Sequence, residues 1–184
     1  MRDPAKPALT GAGAWVGLAQ PDPGGNWQFE SKRYQYWTRT ADEWHNPLEY
    51  VIGTSKPTRD WNYAQSSYPV RGGRPQPWKW SVHFQLDRAP TTDASLTLAF
   101  AAADGARLDG FANNENRPVA TFSPSVQGGN ALLRESIHAK YCVHRIPIPA
   151  ANLHPGANTI TLVQTRTQSP ANHVMYDYLS LEAP

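Results

Sequence analysis

The chain has 184 residues, 40% of them hydrophobic and 17% charged, with a formal net charge of +2. That length and apolar share suit one domain with one sizeable core and exclude a disordered chain, and the lack of any run of about 18 apolar residues excludes a membrane-spanning helix. A charge this small, without a clustered Lys/Arg segment, excludes the usual footprint for nucleic acid, and a single cysteine, Cys142, excludes an intrachain disulfide.

No basic segment followed by an apolar core stands at the N-terminus, so no signal peptide is expected, and Met1-Arg2-Asp3-Pro4 has the look of a truncated start. Residues 1–26 are rich in Pro, Gly and Ala and are expected to be an extension or linker packed on the domain, which then spans residues 27–184. Within the extension, AWVGL at 14–18 is strand-like and PDPGG at 21–25 is a turn cluster. Residues 27–61 carry four of the seven tryptophans among charged residues and few aliphatic runs, which predicts long ordered loops. The tract YPVRGGRPQP at 68–77 is a further breaker.

Regular alternation begins at residue 78. In WKWSVHFQL, Trp78, Trp80, Val82, Phe84 and Leu86 share one face and Lys79, Ser81, His83 and Gln85 the other. SLTLAF at 95–100 repeats the pattern, and strands are also predicted over 139–148 and 159–163. In the last strand Val174, Tyr176 and Tyr178 face one way and Met175, Asp177 and Leu179 the other. Two such C-terminal strands cannot bury a face alone, so they must complete a sheet begun earlier. The only helical signal is a single turn at 150–154. Strands separated by Pro, Gly and Asn clusters predict an all-β, antiparallel sandwich of jelly-roll type. Cys142, inside HAKYCVHRIPIP, is expected to be a small buried hydrophobe rather than a reactive thiol.

Motifs with dedicated chemistry are absent: there is no GxSxG, no phosphate loop, no HExxH and no Cys/His spacing suited to zinc. The histidines are scattered. His138 and His144 could form a site with Lys140 on one strand face, against the plainer reading of an exposed polar face. Asp42, Glu43, Asp60, Asp104 and Asp109 fall in loops or turns, where solvation and capping are their ordinary roles.

The strands WKWSVHFQL and SLTLAFAAADGARLDGF, the segment RESIHAKY at 134–141, the unit IPIPAANLHPGANTITL and the ending VMYDYLSLE occur in that order. Together they resemble the C-terminal carbohydrate-binding-like domain of the family 4 polysaccharide lyases, the rhamnogalacturonan lyases. The upstream YVIGTSKPTRDWNYAQ, with Asp60-Trp61, is similar to the part of that family where an "IG" precedes a short loop and an Asp-Trp pair. The resemblance covers residues 27–182. Its most specific parts are the L-x-x-G-x-N-T-I element at 153–160 and the ending MYDYLSLE. The chain departs from the family pattern at residues 111–117, FANNENR, where a single Asn-Gly is common, and at Ala139, where the family has glycine.

The resemblance implies a jelly-roll sandwich that is not itself catalytic, joined covalently to a lyase domain in a secreted protein. It implies a pectic polysaccharide, rhamnogalacturonan or another uronate-bearing polymer, as partner. No cofactor is required, and a structural calcium is implied by likeness to other jelly-roll sugar modules, with Asp177, Asp42 or Glu43 as oxygen donors.

A pyranose offers an apolar face and a rim of hydroxyls, so its site needs an exposed aromatic ring among polar side chains, and a uronate adds a need for Arg or Lys. On that logic Trp37 and Trp44 are candidate stacking platforms. Lys79 and His83 form one polar strip, and Arg134, His138 and Lys140 form a second if that segment is extended. Asn113, Asn114 and Arg117 would rim the same side from a loop. The alternative is a structural accessory domain of the lyase that binds no sugar, and a weaker one is a stand-alone enzyme acting on uronates.

Overall fold

The computed structural model describes residues 13–16, 46–55, 60, 65–67, 74–124, 142–169 and 172–182. Within them ten strands follow one another: β1 (Gly13–Val16), β2 (Leu48–Val51), β3 (Gln65–Ser66), β4 (Trp78–Leu86), β5 (Ala94–Asp104), β6 (Leu108–Ala112), β7 (Ala120–Phe122), β8 (Cys142–Ile148), β9 (Gly156–Gln164) and β10 (His173–Glu182). They form two five-stranded sheets, one ordered β1-β10-β5-β8 with β3 also on β10, the other ordered β2-β4-β9-β6-β7. From β4 onward the chain passes repeatedly from one sheet to the other, the winding of a jelly roll. The predicted helical turn is a 3₁₀ turn at Ala150–Asn152.

β4 forms because aromatic and branched residues occupy every second position. Trp78, Trp80, Val82, Phe84 and Leu86 are all buried, as their alternation predicts. Trp80, Val82, Phe84 and Leu86 join Leu96, Leu98, Phe100, Tyr176, Leu179 and Leu181 from the opposite sheet in one core cluster. Aromatic rings join the two layers: Tyr176 lies 5.3 Å from Trp80 and 5.2 Å from Phe100 between ring centres. Each such side chain, once buried, contributes roughly 1.5–3 kcal/mol.

Several expectations are corrected by the pairing. The two C-terminal strands do not share a sheet: β9 lies inside one and β10 inside the other. The tract SLTLAFAAADGARLDGF is two strands, because Gly105 turns the chain at φ +51° and a Cβ there would overlap the amide of Asn172. Strand β2 lies in the segment expected to be loops, and it pairs with β4 in parallel, an exception to the antiparallel rule. In β10, register shifts around Tyr176 add a residue to the turn of the pleat, so Leu179 faces the core with Val174 and Tyr176 instead of away from them. β1, within the N-terminal extension, adds itself to the edge of β10.

Gln65, Gln164 and His173 are buried polar side chains at one end of the sandwich. Gln65, wholly buried, donates to the carbonyls of Trp78 (2.8 Å) and Leu162 (2.9 Å) and accepts from the Tyr176 hydroxyl (2.9 Å). Burial pushes the Tyr176 phenol well above its usual value, so it stays a donor. Cys142 is half-buried and packs against the core, and burial raises its thiol pKa, in keeping with a packing role. His144 is neither part of a polar face nor fully exposed: its ring lies 4.9 Å from Phe122, and burial lowers its pKa.

Candidate functional site

The outward face of the β2-β4-β9-β6-β7 sheet carries the polar strip predicted on β4. Strand pairing sets its rows: Lys79, Val163, Asp109 and Thr121 lie side by side, then Glu49, Ser81, Thr161 and Phe111, then Val51, His83 and Thr159. Directly paired residues of neighbouring strands share a face. The Glu49 carboxylate lies 2.5 Å from His83 Nε2, and His83 Nδ1 lies 3.0 Å from the Thr159 hydroxyl. A carboxylate accepts only, so His83 Nε2 carries the proton that it donates to Glu49. Lys79 Nζ reaches Glu115 at 2.5 Å, and the Thr161 hydroxyl donates to the same carboxylate at 3.4 Å. Glu115 thus leans over the sheet from the β6–β7 loop. Ser81, expected on the polar side of its strand, is only 2% exposed on this outward face, as is its partner Thr161.

The β6–β7 loop supplies three predicted residues in different roles. Asn113, at φ 57°, accepts from Thr159 N (2.7 Å) and donates to Asn152 O (2.7 Å) and Asn158 Oδ1 (2.8 Å), so its side chain is engaged in the turn before β9. Asn114 accepts from Asn116 N at 2.9 Å and closes a local turn. Arg117 is exposed, with no ion-pair partner among the described residues. Lys79 and His83 therefore stand on the outward face of the sheet, and from the loop that carries Asn113 and Asn114 it is Glu115 that reaches Lys79. Trp37, Trp44, Arg134, His138 and Lys140 lie outside the described residues, so the second polar strip and the expected stacking platforms do as well.

Phe111, Glu49, Thr159 and Glu115 at this face were not among the sequence candidates. Phe111 is half-buried beside Thr161, on the same side as Asp109. The alternation of Leu108, Gly110 and Ala112 against Asp109 and Phe111 is the signal that could have found it. A half-exposed ring among fixed donors and acceptors can pack on an apolar ligand face while its neighbours hydrogen-bond the rim.

The expected calcium donors Asp42 and Glu43, and the side chain of Asp177, lie outside the described residues. Among the described residues no group of three or more His, Cys, Asp or Glu is placed to hold a metal ion. No helix among them is long and apolar enough to cross a membrane.

The family model for the CBM-like domain III of polysaccharide lyase family 4 matches residues 17–181. The rhamnogalacturonate lyase of Dickeya dadantii is 29% identical over 167 residues, covering 84% of this chain and 25% of that protein. A probable rhamnogalacturonate lyase B of Aspergillus terreus is 25% identical over 186 residues, covering 80% of this chain and 28% of its own length. The chain thus spans about a quarter of the length of the curated relatives it matches. Among solved structures, a family 35 carbohydrate-binding module from an environmental isolate matches at 16% identity and a TM-score of 0.38, covering 58% of this chain and 65% of that one. A CBM35 from Paenibacillus barcinonensis matches at 16% identity and 0.32, covering 67% and 91%.

Proposed function

The chain belongs to the CBM-like family that forms domain III of polysaccharide lyase family 4, and from that premise we propose that it is a non-catalytic module that binds rhamnogalacturonan or another uronate-bearing pectin and holds an attached lyase on its substrate. The observation that carries this reading is the outward face of the β2-β4-β9-β6-β7 sheet, where Phe111 stands beside side chains fixed by one another. Sugar hydroxyls are both donors and acceptors, and a face that offers Lys79, Glu115, Glu49 and Thr159 can meet both roles. A pectic ligand places the parent protein outside the cell.

Eliminative cleavage needs a base beside a uronate carboxyl and a group that neutralises that carboxylate. We assign neither role to a residue of this chain. The test is calorimetry against rhamnogalacturonan, homogalacturonan and a neutral glucan, with product absorbance followed in parallel. Selective heat of binding with no unsaturated product supports the reading. Silence toward every polysaccharide, or product formation by the isolated chain, overturns it.

A second reading, a structural accessory domain, draws on a specific observation: Lys79 and His83 are already paired with Glu115 and Glu49. Side chains satisfied within the protein have less to offer a ligand. Under that reading, removing the module from the full-length lyase lowers its melting temperature and leaves its affinity for polymer unchanged.

A further inference from the structure

We infer that the groove lined by Arg107, Asp109, Thr165, Arg166 and Gln168 is a subsite for one uronate residue, a sugar ring carrying a carboxylate. The inference rests on the reading of the chain as a sugar-binding module and adds where the charged group is held.

The groove has a volume of ≈ 320 Å³. That is the low end of the roughly 300–1,000 Å³ range of small-molecule sites and suits one or two rings rather than a large ligand. It prolongs the outward face already described: Thr165 N donates to Arg107 O at 2.9 Å, one step beyond the Asp109–Val163 pair, so Arg107, Asp109 and Thr165 stand on one side. Two guanidinium groups and one carboxylate line it, and no ion pair joins them among the described residues. Asp109 instead accepts from the Thr121 hydroxyl at 2.6 Å. Two guanidinium groups against one carboxylate leave the groove with a net positive charge, which favours an anion, and the planar fork of arginine matches a carboxylate in two parallel hydrogen bonds. Asp109 has acceptor capacity left for ring hydroxyls.

The backbones that carry the two arginines are held from below. Gln164 is wholly buried, and its Oε1 accepts from Arg166 N at 2.8 Å and Arg107 N at 3.4 Å. Its Nε2 donates to Arg166 O at 2.8 Å and Asn172 O at 3.2 Å. One amide thus spends its donors and acceptors fixing both positions, while both guanidinium groups stay at the surface. Rigid anchoring lowers the ordering cost of binding.

The experiment measures binding of trigalacturonate, its methyl ester and inorganic phosphate to the wild-type chain and to Arg107→Ala, Arg166→Ala and the double Arg107→Lys/Arg166→Lys variant, with folding checked by near-UV circular dichroism. Each alanine is expected to weaken trigalacturonate binding about tenfold, and the lysine pair to restore only part of it, because charge returns without the fork. The methyl ester should bind like the alanine variants bind the acid. If the wild type binds trigalacturonate and the folded alanine variants bind it equally well, the groove is the wrong place although the module reading stands. If phosphate displaces the sugar at equal concentration, the groove is a general anion site and the uronate assignment falls. If the wild type binds no polysaccharide at all, the module reading itself fails.

Discussion

Asn113 and Asn158 meet side chain to side chain, Nδ2 to Oδ1 at 2.8 Å, and so tie the end of β6 to the start of β9. Asn158, 2% exposed, also donates to the carbonyls of His154 (2.7 Å) and Gly156 (2.9 Å) and accepts from His154 N (3.1 Å). Every polar atom of this amide is in use. The L-x-x-G-x-N-T-I element is thereby explained: Leu153 is buried, Gly156 takes φ +88°, and Asn158 closes the loop around them. Asn158→Ala leaves two carbonyls and two N–H groups without partners and should destabilise the fold by about 2–4 kcal/mol, read from urea unfolding. Asn158→Asp should be nearly as harmful, since a carboxylate cannot donate to the two carbonyls.

Tyr176→Phe removes the phenolic hydroxyl with little change of volume. The hydroxyl donates to Gln65 Oε1, and among the described residues the other hydrogen bonds of the Gln65 side chain run from its amide nitrogen. Removing it strands a wholly buried acceptor, and a loss of about 1–2 kcal/mol is expected. If the stability of this variant equals that of the wild type, the Gln65 cluster is not a source of stability.

His144 makes stability depend on pH. Burial holds its pKa below the usual 6.5, so the folded chain binds fewer protons than the unfolded chain just below that value. Its contribution is complete above about 6.5 and is lost as pH falls toward the lower folded value. His144→Phe keeps a ring against Phe122 and cannot titrate. The difference in melting temperature between wild type and variant should therefore shift against the wild type on going from about pH 7.5 to about pH 5, and a difference independent of pH would remove His144 as its source.

Phe111→Ala tests the sheet face as a sugar platform. Loss of one stacked ring should weaken binding of a neutral pectic oligosaccharide on the order of tenfold, with the circular dichroism spectrum unchanged. Unaltered affinity would move the platform to the N-terminal aromatic residues.

Legibility of this chain followed the length and isolation of each pattern. β4 was fully readable because five large apolar residues alternate over nine positions. β2 was hidden: with four residues among tryptophans and charges, its Leu48 and Tyr50 give too short a period, and a parallel partner brings no hairpin signal. The faces of β10 were misjudged because a bulge has no mark in residue type, whereas alternation assumes a regular pleat. The polar side of β4 was legible in its alternation, whereas the side chains of Asn113 and Asn114 are engaged in turns, which residue type alone does not mark. Arg107 and Arg166 were not, since only the β6–β9 pairing makes neighbours of residues so far apart in sequence.

β10 sits between β1 and β5 and also pairs with β3, so three strands from earlier in the chain share it as their partner. On a ribosome that sheet can close only after residues 173–182 have emerged, while β5 waits with an unsatisfied edge. Closure of that sheet is thus a late step in the folding of this module, with closure of long loops and a window in which β5 can pair with another chain.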